Sequence, residues 1–175
     1  MSWPRQLPSR RKVSWQLKTL RDALANYLKE HGGREGDARV MANMKHLWEH
    51  LYVVQDRPRF LIVWNGEELR GAVDYRDTDN RVDRRFAVVA VRGQGFADPA
   101  SGGKELPFVD VMEDVRDLVR SLTGISEEFP ASYLGCKPLP NILPDKIQNA
   151  FADAYMAEFG TANDIPAIQD NVPTE

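Results

Sequence analysis

Residues 84 to 91 read RRFAVVAV, and this stretch decides the fold. It is rich in β-branched residues and therefore predicts a strand. Upstream, FLIVW at residues 60 to 64 is a short continuous apolar run that suits a strand buried on both faces. Asn65-Gly66 follows it and favours a two-residue hairpin turn, because both residues tolerate positive φ. The strand that returns after this turn would place Leu69, Gly71, Val73 and Tyr75 on one face. Together with FLIVW and RRFAVVAV it would form an antiparallel meander of three strands.

Three amphipathic helices are predicted around these strands. The first follows Ser14, a plausible N-cap, and stops at Gly32-Gly33. The second begins after Asp37 and runs to about Tyr52, since its apolar residues gather on one side at 100° per residue. The third covers residues 108 to 122, where apolar residues form one stripe and charged residues occupy the other side.

The remaining segments are connections and a closing strand. Residues 93 to 106 are Gly-rich and predict a long loop of the functional or mobile kind. Residues 125 to 145 contain four prolines and predict an irregular connection, and FADAYMAEF at 151 to 159 alternates like a last strand. The order of elements predicts an α+β fold, with a small antiparallel or mixed β-sheet packed against helices in a single domain.

Composition sets the outer bounds. A chain of 175 residues with 42% hydrophobic content is enough for one sizeable core. We expect a flexible basic arm at 1–13, the α+β domain at 14–168 and an acidic tail at 169–175. No apolar run is long enough to span a bilayer, and the lone Cys136 has no partner for a disulfide, which favours a reducing cytoplasm.

The motif HLWEH, residues 46 to 50, fits the H-x-x-E-H pattern of zinc peptidases. His46 and His50 lie four apart and would be neighbours on a helix, Glu49 would act as general base, and Glu127 or Glu128 would supply a third ligand. On a helical wheel, however, these two histidines and Glu49 fall opposite the apolar stripe. We therefore predict a solvated or subunit-facing helix side, with no catalytic residue and no metal.

Nucleic-acid binding by bulk charge is disfavoured by the net charge of −3. The N-terminal residues concentrate basic side chains, with Trp3 and Trp15 interleaved, so binding through charge and stacking is one interpretation of the arm. Ordering on a neighbouring subunit or partner is the other.

The order and character of these elements resemble the tail terminator (tail completion) proteins of long-tailed bacteriophages. The resemblance covers residues 14 to 168 and includes a leading helix, a strand hairpin and meander, a core helix, a Pro-rich crossover and a closing strand. The stretches that carry it are FLIVWNGEELRGAV, RRFAVVAVRG, FVDVMEDVRDLVRSLTG and FADAYMAEFGTANDIP. The helix with HLWEH and the charged N-terminal arm are departures from the minimal plan of that family.

The resemblance implies a structural protein of the virion and not an enzyme, without a cofactor and with no membrane association. Six copies would form a ring on the tail tube, stop its polymerisation and join the tail to the head connector or neck proteins. The ring would be assembled in the host cytoplasm, and DNA would pass through the acidic lumen without specific binding. The alternatives are a connector or neck completion protein and, from another class, a zinc-dependent hydrolase using HLWEH.

We expect contacts with other subunits or with the tube and neck from the arm, from the polar side of the second helix and from the Gly-rich loop. The candidate residues are Arg10, Arg11, Lys12, Arg39, His46, His50, Arg92, Gln94 and Phe96.

Overall fold

A computed structural model describes residues 5–6, 12–51, 57–69, 80–92, 95–122, 125, 131–139, 153–165 and 169–170. The helices are α1 (Val13–Glu30), α2 (Met44–Leu51) and α3 (Phe108–Ser121), with short 3-10 turns at Glu35–Asp37 and Pro99–Ser101. The strands are β1 (Arg5–Gln6), β2 (Ala38–Met41), β3 (Arg59–Leu69), β4 (Asn80–Arg92), β5 (Ala97–Asp98), β6 (Lys104–Glu105), β7 (Ser132–Pro138), β8 (Asp153–Ile165) and β9 (Gln169–Asp170).

The main sheet has five strands in the order β2-β3-β4-β8-β7. β2 runs parallel to β3, and every other neighbouring pair is antiparallel. RRFAVVAV lies within β4, the central strand, so the strand predicted there is confirmed. The α+β class with a mixed sheet is confirmed as well.

Both faces of the sheet are covered, which explains why its central strands are continuously apolar. On one face, side chains such as Phe60, Phe86 and Val88 belong to a core cluster shared with α1 and α3. On the other face, Leu61 and Val89 pack in a second cluster with apolar residues of α2. None of the described helices combines the length and the apolar character needed to cross a membrane.

The predicted limits of α1 are right at the end and wrong at the start. Lys12 is the N-cap and offers no side-chain cap, so Ser14 lies inside the first turn. At the other end, Gly32 has φ of 86°, and the N–H of Gly33 donates to the carbonyl of Leu28 at 2.8 Å. This left-handed ending satisfies an orphan carbonyl and confirms the predicted stop. The predicted third helix is likewise confirmed as α3.

The predicted second helix from Asp37 to Tyr52 is wrong in its first half. Ala38–Met41 forms β2, which pairs in parallel register with Phe60 to Val63. Only Met44–Leu51 is helical, and it begins where the Asn43 side chain accepts a hydrogen bond from the N–H of His46 at 2.8 Å. Residues of β2 fit an apolar helical stripe, but pairing with β3 outweighs that local preference.

The predicted hairpin turn at Asn65-Gly66 is also wrong. β3 continues to Leu69, and its register against β4 shifts between Trp64 and Glu67. Gly66 has φ of 98°, so its tolerance of positive φ serves a β-bulge instead of a turn. Leu69 therefore lies in the same strand as FLIVW, while Gly71, Val73 and Tyr75 lie outside the described residues.

Two segments predicted as irregular contain regular structure. Within 93–106, β5 and β6 pair as a small antiparallel sheet around the 3-10 turn. Within 125–145, β7 pairs with β8 at the edge of the main sheet. The predicted last strand is present as β8 and extends beyond residue 159 to Ile165. At the chain ends, Arg5 and Gln6 pair with Asp170 and Gln169.

Candidate functional site

The polar residues of HLWEH, which are His46, Glu49 and His50, lie close together on α2. The ring of His46 stands edge-on to the ring of His50, with 4.8 Å between centroids. Nδ1 of His46 accepts a hydrogen bond from the backbone N–H of Ala42 at 3.1 Å, so that nitrogen is not available as a ligand. Burial, followed by the charges of His46 and Arg39, lowers the pKa of His50.

These two histidines and Glu49 are not joined by a third zinc ligand in the part of the chain that the structure describes. No three His, Cys, Asp or Glu side chains converge there in a way that would hold a metal ion. Glu127 and Glu128 lie outside the described residues. Within the motif, Glu49 is exposed, His46 and His50 are half-buried, and Leu47 is fully buried in the core. The predicted solvated side therefore applies to Glu49 but not to the ring of His50, whose Nδ1 is enclosed.

The other candidate contact residues have different surroundings. Arg39 is exposed on β2, and Lys12 is exposed just before α1. The backbone of Arg92 ends β4, while its side chain, Arg10, Arg11 and Gln94 lie outside the description. Phe96 is fully buried in the core among Phe60, Tyr27 and Phe108, so the expectation of an exposed contact at this position is wrong.

A groove that the sequence did not predict lies between α3 and β7. Its volume is about 360 Å³, and its lining is largely aromatic and aliphatic. Val109, which is 64% exposed, lies on the rim, and Tyr133 on β7 is 37% exposed. The lining residues are Phe108, Val109, Met112, Glu113, Arg116, Tyr133, Cys136 and Tyr155. We refer to this feature as the α3–β7 groove.

Of the charged residues at the α3–β7 groove, Arg116 forms an ion pair and Glu113 forms none among the described residues. Nε of Arg116 lies 2.9 Å from Oδ1 of Asp117, and this hydrogen bond raises the pKa of Arg116 and lowers that of Asp117. Burial raises the pKa of the Cys136 thiol, so this side chain is predominantly a neutral thiol at neutral pH. The groove therefore combines aromatic and aliphatic side chains with an exposed carboxylate, Glu113, whose charge also acts on Arg116.

The sequence carried one signal for this groove. Val109 lies off the apolar stripe of α3, and an exposed aliphatic side chain beside a core stripe widens the apolar surface of a helix. The strand side of the groove had no such signal, because Ser132–Pro138 shows no alternation and was expected to be irregular.

The opposite edge of the sheet is formed by β2 and the start of α2, and we call it the β2–α2 edge. Asp37 is buried and accepts hydrogen bonds from Nε and Nη2 of Arg57 at 2.9 and 3.1 Å. Arg39 is exposed, and in the described chain it forms no ion pair. Met44, the first residue of α2, is 37% exposed. This edge therefore combines an exposed cation, whose Nε donates to the carbonyl of Gly36 at 3.0 Å, with an exposed thioether.

A buried polar network closes the end of the sheet near the start of α1. Arg84 donates from Nη1 to Oε1 of Gln16 at 2.9 Å, and its Nε lies 3.3 Å from Oε2 of Glu67. The Gln16 amide also donates to the carbonyl of Ile125. Next to this network, Thr161 donates to Oδ1 of Asn163 at 2.9 Å. This network ties α1 to β3 and β4 through buried polar contacts.

Comparison with known proteins gives no relative from which a role could be transferred: the chain matches no protein-family model, and none of the curated proteins is significantly similar to it.

Proposed function

We propose that the protein is a tail terminator of a long-tailed bacteriophage. In this role, copies of the chain form a ring on the end of the tail tube, stop its polymerisation and present a surface to the head connector or neck proteins. The protein acts by binding and not by catalysis, and it works within the virion.

The observation that carries this proposal is the exposed apolar surface at one edge of the sheet. Val109 and Tyr133 are large hydrophobic side chains that line the α3–β7 groove and are exposed to solvent. Contiguous apolar surface of this kind marks a site of protein contact, because leaving it in water costs free energy. An assembly subunit needs such a surface, whereas a monomeric protein is better served by a polar edge.

The fold supports the same proposal. A leading helix, a long antiparallel hairpin, a core helix and a closing strand follow one another as α1, β3–β4, α3 and β8. These elements are among those on which the family resemblance rests, but among the described residues the meander expected between FLIVW and RRFAVVAV is absent, because β3 pairs directly with β4. β2 stands at one edge of the sheet, and α2 packs over β3 and β4 on one face, so this addition does not interrupt the order of the other strands.

Net charge fits passage of DNA through a ring. The chain carries 23 Lys and Arg against 26 Asp and Glu. Because like charges repel, a ring of such subunits would let DNA pass without gripping its phosphates.

The first test is the assembly state of the purified full-length protein. Size-exclusion chromatography with light scattering should give a mass near six chains, which is about 119 kDa for a chain of 19.9 kDa. Negative-stain images should show closed rings with a central opening. A protein that stays monomeric at high concentration, and also in the presence of tail tubes, would contradict the proposal.

The second test is control of tube length. The protein is co-expressed with the tail tube protein of the same genome, and tube lengths are measured by electron microscopy. Bound rings at tube ends and an arrest of tube growth are expected. Rings that bind the head connector and leave tube growth unchanged would instead identify a neck completion protein.

A further inference from the structure

The α3–β7 groove and the β2–α2 edge lie at opposite edges of one sheet and have complementary chemistry. We propose that the groove of one copy receives the β2–α2 edge of the next copy, with Met44 entering the groove and Arg39 meeting Glu113. This inference rests on the proposed function, because it names the contact by which copies of the chain would join into a ring.

The position of the two surfaces fits a ring. β2 and β7 are the outermost strands of the five-stranded sheet, so the two surfaces face away from each other across about 19 Å of sheet. A ring of identical chains needs two different patches that meet head to tail, because a patch that binds itself closes a dimer. One subunit carries both patches, on opposite sides.

The apolar part of the contact is matched in size and chemistry. The groove has a volume of about 360 Å³ and is lined by the rings of Phe108, Tyr133 and Tyr155. Met44 is exposed at the start of α2. A methionine side chain is unbranched and flexible, and its sulfur makes favourable contacts with aromatic rings. It is therefore well suited to fill an irregular aromatic cleft.

The charged part of the contact is matched in sign. On the groove side, Arg116 is paired with Asp117, and Glu113 is an exposed carboxylate whose charge acts on Arg116 without forming an ion pair with it. On the other side, Asp37 is paired with Arg57, and Arg39 is an exposed cation whose charge acts on Asp37 without forming an ion pair with it. Neither Glu113 nor Arg39 forms an ion pair with another described residue, so each gains a partner when two copies meet.

The contact is made by side chains and does not extend the sheet from one copy into the next. β7 contains a register shift between Tyr133 and Gly135, and it ends in Lys137 and Pro138. A bulge, a lysine and a proline are features that prevent an edge strand from adding another strand. The groove beside β7 accepts an apolar side chain without requiring main-chain pairing.

The lone cysteine of the chain provides a direct test, since Cys136 lines the groove. A second thiol is introduced by the substitution Met44→Cys, and the assembled protein is treated with a short bismaleimide. We expect a ladder of covalent dimers, trimers and larger species, because position 44 of one copy lies beside Cys136 of the next. The reaction is run at mildly alkaline pH, since burial raises the pKa of Cys136.

Two matched controls define the site. In Met44→Cys combined with Cys136→Ser, the ladder should disappear. Leu69 is 51% exposed and lies at neither edge, so Leu69→Cys should give no ladder in the presence of Cys136. Circular dichroism of each variant verifies that it is folded.

A charge exchange tests the second half of the contact. Arg39→Glu and Glu113→Arg should each weaken self-association at least several-fold, because each variant places like charges together. The double variant should recover most of the association. Recovery in the double variant also excludes misfolding as the cause of the single effects.

Three results would overturn the inference. Wild-type protein that crosslinks through Cys136 alone, giving dimers only, would show that the groove binds a second groove. Equal ladders from Met44→Cys and Leu69→Cys would show random collision. Rings seen by electron microscopy without a ladder from Met44→Cys would reject this contact while leaving the proposed function in place.

Discussion

Arg59 and Arg84 are both buried, but they lie at opposite ends of the β3–β4 ladder and are neutralised in different ways. Arg84 has the carboxylate of Glu67 and the amide of Gln16 within hydrogen-bonding distance. Arg59 donates from Nη1 to the carbonyl of His50 at 3.3 Å, and burial lowers its pKa while the charge of Asp37 raises it.

The difference shows how the two ends of one sheet acquire different surfaces. A buried charge is tolerated when it is paired and hydrogen-bonded. At the Arg84 end, Glu67 and Gln16 contact the guanidinium group directly and compensate its charge. At the Arg59 end, Asp37 already accepts hydrogen bonds from Nε and Nη2 of Arg57 and lies near Arg39 as well. Several cations therefore share one carboxylate. At this end, the charges of Arg39, Arg57 and Arg59 all interact with that of Asp37.

The largest expected effect is at Arg84. The substitution Arg84→Met leaves the buried oxygen of Gln16 without its donor and Glu67 without its partner, and it should lower the free energy of unfolding by about 3 kcal/mol. The matched control is Arg81→Met on the same strand, where the arginine is exposed and its ion pair with Asp164 is solvated. That change should cost less than about 1 kcal/mol in urea titrations. Equal losses of unfolding free energy at the two positions would show that the buried contacts of Arg84 add no more stability than an exposed ion pair.

A smaller effect is expected at Asp37. Burial raises the pKa of this carboxyl, but hydrogen bonds from Arg57 and from the backbone N–H of Arg34 outweigh it, so the pKa lies below its usual value of 3.8. Asp37→Asn removes the carboxylate that accepts from Nε and Nη2 of Arg57, and it should cost about 2 kcal/mol at neutral pH.

The pH dependence of stability tests the same carboxyl. Because its pKa is lower in the folded state, its contribution is complete above the unfolded-state pKa near 3.8 and is lost as the pH falls through the folded-state value. Wild type should therefore lose more stability than Asp37→Asn as urea titrations are moved from pH 5 towards pH 2. Asp22→Asn, at an exposed aspartate on α1, should behave like wild type.

The smallest expected effect is at His50. Its folded-state pKa lies below 6.5 because of burial and of the charges of His46, Arg39 and Arg59, which outweigh the opposing charge of Glu49. The unfolded chain therefore binds the proton more readily, and stability should fall as the pH drops below about 6.5. His50→Gln should remove part of this slope, with a change below about 1 kcal/mol since the ring is only half-buried. A slope unchanged by the substitution would assign the titration to another group.

The central elements of this fold follow from the sequence because their patterns are strong and local. β4 and the first half of β3 are continuous apolar runs, as expected for strands covered on both faces. In α1 and α3 the apolar residues recur every three or four positions over the whole length, which is the spacing of one helix face. Consistent local signals of this kind are rarely overruled by tertiary contacts.

The edges could not be predicted in the same way, because they depend on partners far along the chain. Ala38–Met41 becomes a strand only by pairing with Phe60–Val63, and its apolar residues also fit a helix. Ser132–Pro138 is mostly exposed, so no buried face imposes a period of two on it. A better signal was present at Asn43, which is a preferred N-cap residue and marks where α2 begins.

Parts of the candidate site were accessible from the sequence and others were not. The helical wheel placed Glu49 on the solvent side correctly, but His50 is half-buried, and the first half of the wheel covered residues that form β2. Phe96 was expected to be exposed because it lies in a Gly-rich segment, yet its ring fills the space between Phe60 and Phe108. A lone aromatic residue among glycines indicates an anchor for a loop as readily as an external contact.

The pairing of β4 with β8 determines when this protein is able to fold during its synthesis. Thirteen residue pairs join the two strands, from Asn80 with Ile165 to Arg92 with Asp153. The middle of the sheet is therefore completed by residues that leave the ribosome about 70 positions after their partners, several seconds later at ordinary rates of translation. Until then the apolar edge of β4 is unpaired, and a cell that makes many copies must protect that edge or translate it quickly.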